Sequence, residues 1–335
     1  MSLDIVTGGS GFIGSHLVDA LVAAGRHVRV IDNNKTNTLL NLAHARKHSR
    51  KSDRLEIWHV DINNYGKLEP LFQGAERVFH LAALADIVPS IENPQQYYST
   101  NVSGTLNVCQ AAVKAGVRRL VYTASSSCYG IPDHYPTAES SPNRPQYPYA
   151  LTKLLGEQLV MHWAQVYGLP ALSLRLFNVY GPRARTNGAY GAVFGVFLAQ
   201  LLNRQPLTVV GDGKQTRDFT YVSDVVSALI RAAESTRSGI YNVGSGCPIS
   251  VNKLVELLGA PKIVHIPKRP GEPECTHADI TAFCRDFDWR PQVTIEQGVG
   301  QMLANINYWR NAPVWTPQSI EKATQLWFER LGAAS

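Results

Sequence analysis

The chain has 335 residues, 44% hydrophobic and 17% charged, with 32 Lys and Arg against 26 Asp and Glu for a net charge of +6. This composition excludes a disordered chain and a disulfide-stapled miniprotein, and at roughly 100–200 residues per domain it suggests two lobes or one large unit with an appendage. No run approaches the roughly 18 apolar residues of a membrane-crossing helix, and the opening MSLDIVTGGSGFIGSH lacks the basic start and apolar stretch of a secretion signal, so a cytoplasmic protein that engages no membrane is expected.

LDIVTG is a short apolar run that breaks into glycines, and a helical pattern follows from Gly11 to about Gly25. HVRVID reads as a second strand. LEIWHVD (55–61), RVFHLAA (77–83), RRLVYTASS (118–126) and ALSLRLFN (171–178) read as further buried strands, with helical segments at about 64–72, 95–115 and 147–167. Nearly continuous apolar strands alternating with helices predict an α/β fold, a doubly wound parallel sheet of Rossmann type covered on both faces. The pattern changes after Asn178. A loop begins at Gly181-Pro182, a helix near 190–203 leads to LTVVG (207–211), and YVSDVVSALIRAAE then GIYNVG form one more α/β unit. Shorter helices follow around 250–258, 278–284 and 295–310. The last, near 317–331, carries Ile320, Ala323, Leu326 and Trp327 on one stripe and is expected to cap the C-terminal lobe.

The cysteines (Cys109, Cys128, Cys247, Cys275 and Cys284) are scattered, with no CxxC pair, Cys/His metal spacing or HExxH, so reduced thiols and no metal are expected. Positive charge is dense only from Arg46 to Arg54, with no aromatics between, which argues against a nucleic-acid partner. The modest positive excess suits an anionic small substrate.

Gly8-x-x-Gly11-x-x-Gly14 lies between the first strand and the first helix, where glycine lets the backbone approach a pyrophosphate and the helix N-terminus faces the anion. Asp32 ends the second strand 18 residues after Gly14. A carboxylate there accepts from ribose hydroxyls and repels a 2′-phosphate, and no Arg follows directly, so NAD is the expected cofactor. Asp61, ending the third strand, is placed to meet the adenine amine. Tyr149-Ala-Leu-Thr-Lys153 puts a phenol and an ammonium on one helix face. A neighbouring cation lowers the phenol from its ordinary value near ~10, making a usable base. Ser125, Ser126 and Ser127 follow the fifth strand, where a sheet delivers side chains to its cleft.

TGGSGFIGSHL, Asp32, HLAA (80–83), the SSSCYG turn and YALTK resemble the extended short-chain dehydrogenase/reductase family, in particular its nucleotide-sugar epimerases and dehydratases, and most of all UDP-glucose and UDP-N-acetylglucosamine 4-epimerases. The similarity continues through NVSGT (101–105), RLFNVYGP (175–182), DGKQTRDFTYVSDVV (212–226) and RPGE (269–272), and covers about residues 3–310. It implies Ser125 as catalytic hydroxyl, Tyr149 as base and Lys153 as its tuner and a ligand of the nicotinamide ribose. Phe12, Ile13, Asn33, Ile62, Leu81, Ala82, Ala83 and Asn101 join the glycines and Asp32 and Asp61 around the cofactor. Ser126 and Asn178 meet the substrate, Arg217 and Arg269 its diphosphate, and Glu272 the nucleotide ribose. Residues 1–180, with about 212–243 returning, would bind NAD, and 181–211 with 244–335 would form a smaller mixed α/β lobe for the nucleotide sugar. The helices at 95–115 and 147–167 correspond to the family's dimer interface, so a homodimer is expected.

Two departures stand out. Ala85 stands where many epimerases hold a Lys near the pyrophosphate, which implies either lower cofactor affinity or compensation by another group such as Asn33, and Cys128 reads as a packing residue. The dehydratases carry Asp-Glu after the catalytic hydroxyl residue, and decarboxylases a Glu in that turn. Here Ser126 and Ser127 cannot act as general acids. The resemblance therefore implies 4-epimerisation of a nucleoside-diphosphate hexose through a transient 4-keto sugar and hydride return. Thr186–Tyr190, including Asn187, resembles the loop of epimerases acting on UDP-N-acetylhexosamines, and Thr276 stands where glucose-restricted epimerases hold an aromatic. UDP-GlcNAc and UDP-GalNAc are the expected substrates, with UDP-glucose and UDP-galactose next. Arg183 and Arg185 at a C6 carboxylate would instead favour a uronic acid, and a deoxysugar epimerase or a dehydratase is the other alternative. An inactive NAD-sensing protein on this fold fits less well, since a sensor has no use for Ser125, Tyr149 and Lys153.

Overall fold

The computed structural model describes residues 2–35, 39–49, 54–184, 192–260 and 262–332. The first part of the chain runs β1 (Leu3–Thr7), α1 (Phe12–Ala23), β2 (His27–Asp32), α2 (Ala43–Ser49), β3 (Leu55–His59), α3 (Tyr65–Leu68), β4 (Ala75–His80), α4 (Ile87–Glu92), α5 (Pro94–Tyr98), α6 (Gly104–Lys114), β5 (Arg119–Ser125), α7 (Pro148–Val166) and β6 (Ala171–Leu176). Then come α8 (Val193–Leu202), β7 (Leu207–Val210), α9 (Val222–Glu234), β8 (Gly239–Val243), α10 (Val251–Leu257), β9 (Ile263–Ile266), α11 (Thr281–Phe287), α12 (Ile295–Ala304) and α13 (Pro317–Leu331).

The seven strands β8-β6-β5-β4-β1-β2-β3 form one parallel sheet. Neighbouring residues feed opposite faces, which is why the strands read as unbroken apolar runs. Val6, Val30, Phe79 and Val121 pack under α1 and α9, while Ile5, Ile31, Val78 and Leu120 pack with Val108 and Ala112 of α6. The chain changes its direction of travel across the sheet between β1 and β4, and a cleft opens there at the C-terminal strand ends. A third core, with Phe194, Phe197, Leu207, Leu254 and Trp309, sits in the C-terminal part beside the parallel pair β7 and β9.

Several elements differ from the sequence expectation. The helix expected over 95–115 is α5 and α6 joined by a wide π-type turn, Ser99–Ser103, of the kind that often marks a functional position. The segment at 64–72 is one helical turn, α3, followed by a tight turn at Glu69–Phe72 that holds Pro70. Strands β3 and β4 end at His59 and His80, and the residues after them turn into the cleft. The helix expected at 278–284 lies at Thr281–Phe287, where Phe283 and Phe287 join Trp289 in the sheet's core. Residues 295–310 form α12 and a separate tight turn, Ile306–Trp309. Helices α2 and α4 and strand β9 have no counterpart in the expectation.

Candidate active site

The cleft has a volume of about 940 Å³. Its cofactor end is made by the turn after β1. Gly8 has a φ of +70°, and a Cβ there would lie 2.7 Å from the Ala82 nitrogen. A Cβ on Gly14 would collide with the Gly8 carbonyl oxygen. Only glycine lets the β1 and β4 turns meet this closely and bring α1 to the cleft. Gly11 occupies the helix N-cap with no side-chain cap, so the first-turn N–H groups are presented to an anion. Phe12, Ile13, Ile62, Leu81, Ala82 and Ala83 line the apolar walls of this end.

Asp32 lines the cleft at the end of β2, and its carboxylate accepts N–H bonds from Ser10 (3.0 Å) and Asn34 (2.8 Å). It therefore also fastens the glycine turn to β2. Asp61 accepts from Asn33 Nδ2 at 2.9 Å and Lys35 Nζ at 3.1 Å. Burial works to raise its pKa, but hydrogen bonds from Asn63, Asn33 and Lys35 outweigh this and hold the carboxyl at about 2. A glycine cradle for a pyrophosphate, a carboxylate for a ribose diol and a flat apolar wall fit a bound dinucleotide.

Asn101 corrects the sequence expectation. It is 1% exposed and does not line the cleft. Its Oδ1 accepts from the Leu84 N–H at 2.8 Å, and its Nδ2 donates to Leu84 O and Thr152 Oγ1, both at 3.0 Å. It fixes the turn after β4 against α7, one layer behind any ligand.

The centre of the cleft brings together Ser125 at the end of β5 with Tyr149 and Lys153 on α7. Ser125 Oγ lies 2.8 Å from Ser127 Oγ and accepts the Ser127 N–H at 3.2 Å. Pro148 starts α7, so Tyr149 sits in its first turn, near enough to Ser125 for that hydroxyl to pull the phenol's pKa down. The Tyr147 ring stacks on Tyr149 at 6.4 Å and 8°. Lys153 lies one turn on, buried, with Nζ 4.3 Å from the Tyr122 ring centroid. Burial lowers its pKa to about 7, with Glu157 opposing. The sequence argument has a cation lowering Tyr149. In this structure burial wins and holds the phenol above its ordinary value, with the Ser125 hydroxyl pulling down and Asp86 and Cys128 pushing up. Burial also pushes the Cys128 thiol up to about 12, which keeps it unreactive.

At the other end, Arg217 and Arg269 converge on Glu272, at 3.6 and 3.0 Å. Thr276 Oγ1 donates to Asn178 Oδ1 at 2.8 Å and accepts the Asp218 N–H at 3.0 Å. This orients the Asn178 amide so that its NH₂ is the donor side toward an anion. Ser126, Asn178, Arg217, Arg269, Glu272 and Thr276 all line the cleft. Arg183 does not. It pairs with Asp19 at 2.7 Å, away from the cleft lining, so it is not placed to meet a sugar carboxylate. Asn187, Arg185 and the Thr186–Tyr190 loop lie outside the described residues.

Sequence reasoning missed Asp86, Tyr147 and Trp327, all of which line the cleft. Asp86 was open to detection as the acid in LADIVPS, just after the fourth strand. Tyr147 and Trp327 carried no motif. Among the described residues no three His, Cys, Asp or Glu side chains group to hold a metal ion, and no helix is long and apolar enough to cross a membrane.

A glycine-cradled dinucleotide end, a Ser–Tyr–Lys centre and an arginine-lined far end define an NAD-dependent enzyme acting on a nucleotide-linked substrate. Residues 5–244 match the NAD dependent epimerase/dehydratase family, and the chain belongs to it. A UDP-glucose 4-epimerase of Mycolicibacterium smegmatis is 35% identical over 92% of this chain and 98% of its own. A UDP-N-acetylglucosamine 4-epimerase from Methanobrevibacter ruminantium, solved with UDP-N-acetylmuramic acid, superposes with a TM-score of 0.84 at 32% identity, covering 91% of this chain and 99% of that one. A UDP-glucuronic acid 4-epimerase from Bacillus cereus, solved with UDP-glucuronic acid and NAD, gives a TM-score of 0.83 at 30% identity, covering 91% and 99%.

Proposed function

We propose that this enzyme is a nucleotide-sugar 4-epimerase acting on an uncharged UDP-hexose, with UDP-GlcNAc and UDP-GalNAc preferred over UDP-glucose and UDP-galactose. The observation that carries the reading is the turn after β5. Ser125, Ser126 and Ser127 present hydroxyls beside Tyr149, where elimination or decarboxylation would call for a carboxyl group. Bound NAD supplies the hydride acceptor and donor at the sugar's C4. The glycine turn, Asp32 and Asp61 hold it, and Lys153 binds its nicotinamide ribose. Tyr149 takes the proton of the 4-hydroxyl while Ser125 hydrogen-bonds the same oxygen. Since the hydroxyls of the β5 turn are no acids for a further step, the 4-keto sugar would turn over and take the hydride and the Tyr149 proton back on its other face.

Asn178, Arg217 and Arg269 hold the diphosphate and Glu272 the nucleotide ribose. Residues 181–211 and 244–335 supply most of this substrate lobe, against a cofactor domain of 1–180 with 212–243. Two observations support a sugar that is uncharged at C6. Arg183 is engaged by Asp19, and Asp86 places a carboxylate at the cleft beside Tyr149. The same Asp86 favours one second reading, a dehydratase that uses it as the acid. Exposed Tyr98, Leu151, Val166 and Tyr167 on and beside α5 and α7 support a homodimer through these helices, and a concentration-independent monomer mass in solution scattering contradicts it.

Thr276→Tyr tests the sugar assignment. If Thr276 lies beside C2, an aromatic ring clashes with a 2-acetamido group and spares a 2-hydroxyl. Relative kcat/KM for UDP-GlcNAc over UDP-glucose then falls roughly tenfold to a hundredfold. An equal loss on both sugars places Thr276 away from C2, and a wild type inactive on N-acetyl sugars sinks the hexosamine assignment.

A further inference from the structure

Helix α13, close to the end of the chain, reaches the cleft. Thr316 caps it, accepting the Ser319 N–H, and Pro317 starts it. Ile320, Thr324 and Trp327 then form its buried stripe. Trp327 is 2% exposed, lines the cleft, and makes three contacts there. Its Nε1 donates to Pro270 O at 2.9 Å. The Arg269 guanidinium lies over its ring, 5.6 Å from the centroid. Its ring meets Tyr147 at 6.4 Å, and Tyr147 stacks on Tyr149. One face of α13 also packs on α4, the helix that starts beside Asp86. The helix thus grips the 269–272 loop through both a backbone carbonyl and a cation–π contact.

We infer that α13, through Trp327, is a wall of the substrate half of the cleft and sets affinity for the nucleoside diphosphate without affecting the cofactor. The inference rests on the function proposed above. Trp327 is a positioning residue: it fixes Pro270 and the plane of Arg269, so that the guanidinium meets a diphosphate already oriented. Among the described residues its hydrogen bond and ring contacts go to the substrate loop and to Tyr147, and none of these reaches the glycine turn, Asp32 or Asp61.

The test uses the NAD-loaded full chain as wild type, Trp327→Phe and Trp327→Ala. UDP is titrated by calorimetry, NAD affinity is measured separately, and kcat and KM are determined on the best sugar. Trp327→Ala is expected to weaken UDP binding and raise KM about tenfold or more, with kcat within about twofold and NAD affinity unchanged. Trp327→Phe keeps the ring but loses the bond to Pro270 O, and is expected to fall between the two. UDP affinity equal to wild type in both variants overturns the inference, as does a parallel loss of UDP and NAD binding, which marks Trp327 as general packing. A wild type that binds no UDP overturns the proposed function itself and is seen before any variant is made.

Discussion

His80 Nδ1 on β4 lies 2.7 Å from Thr7 Oγ1 on β1, and this contact is the middle of a longer chain. The Ala82 N–H donates to Thr7 Oγ1, and the threonine hydroxyl donates onward to His80 Nδ1, because Thr105 spends its own proton on Asn101 O and can only accept from the ring's other nitrogen. The His80 proton then sits on Nε2 and donates to Thr105 Oγ1, which donates to Asn101 O. Every group is satisfied with a neutral ring, and burial, with Lys153 nearby, lowers the His80 pKa to about 3. Between that value and about 6.5, the unfolded chain takes up a proton the native state refuses. Stability therefore falls as pH drops through this window, by about 1.4 kcal/mol per pH unit from this residue. Denaturant titrations at pH 7 and pH 5 should show a larger loss in wild type than in His80→Gln. Equal slopes would remove His80 from the account.

Tyr149→Phe should fold and bind NAD but lose most turnover, by about 10²–10⁴-fold, as expected for a positioned acid/base group. Among the described residues no hydrogen bond within 3.5 Å holds the phenol oxygen, and the Tyr147 ring still stacks on a phenylalanine, so the substitution leaves packing intact. Near-wild-type turnover in this variant assigns proton transfer elsewhere.

Asp32→Ala should weaken NAD about tenfold to a hundredfold, the scale of a hydrogen bond to a charged group, and reduce the preference against NADP. Lys35, now paired with Asp61, lies close enough to the cleft to meet a 2′-phosphate once Asp32 is gone. Because Asp32 also holds the Ser10 and Asn34 N–H groups, a small loss of thermal stability should accompany the change. Unchanged affinity for both cofactors takes Asp32 out of the site.

Asp86→Asn removes the cleft-lining carboxylate whose charge raises the Tyr149 pKa, while keeping side-chain volume. Activity on UDP-glucuronic acid relative to UDP-glucose should rise about tenfold, the effect of relieving one close like-charge contact. An unchanged ratio shows that Asp86 does not face C6. A loss of all activity on neutral sugars with 4-keto-6-deoxy product in wild type supports the dehydratase reading.

The sheet was legible because its strands are buried on both faces and read as unbroken apolar runs, and because glycine and tyrosine–lysine spacing are set by backbone geometry. What escaped depends on contacts distant in sequence. Helix α4 is short, with Pro89 inside it, and carries no amphipathic period, so Asp86 went unnoticed. Asn101 sits in a motif, but only the wide turn at Ser99–Ser103 shows that it points at Leu84 and away from the cleft. The α13 stripe was recognised, yet its partners at Tyr147 and Pro270 lie far along the chain. The electrostatics of Tyr149 depend on burial, which spacing does not report.

The central claim is tested most directly by incubating the NAD-loaded enzyme with UDP-GlcNAc, UDP-glucose and UDP-glucuronic acid and following the products by proton NMR. The account predicts the C4 epimers UDP-GalNAc and UDP-galactose, with the N-acetyl sugar turned over faster and the uronic acid slowest. A 4-keto-6-deoxy sugar, a pentose formed by loss of carbon dioxide, or preferential epimerisation of UDP-glucuronic acid contradicts it.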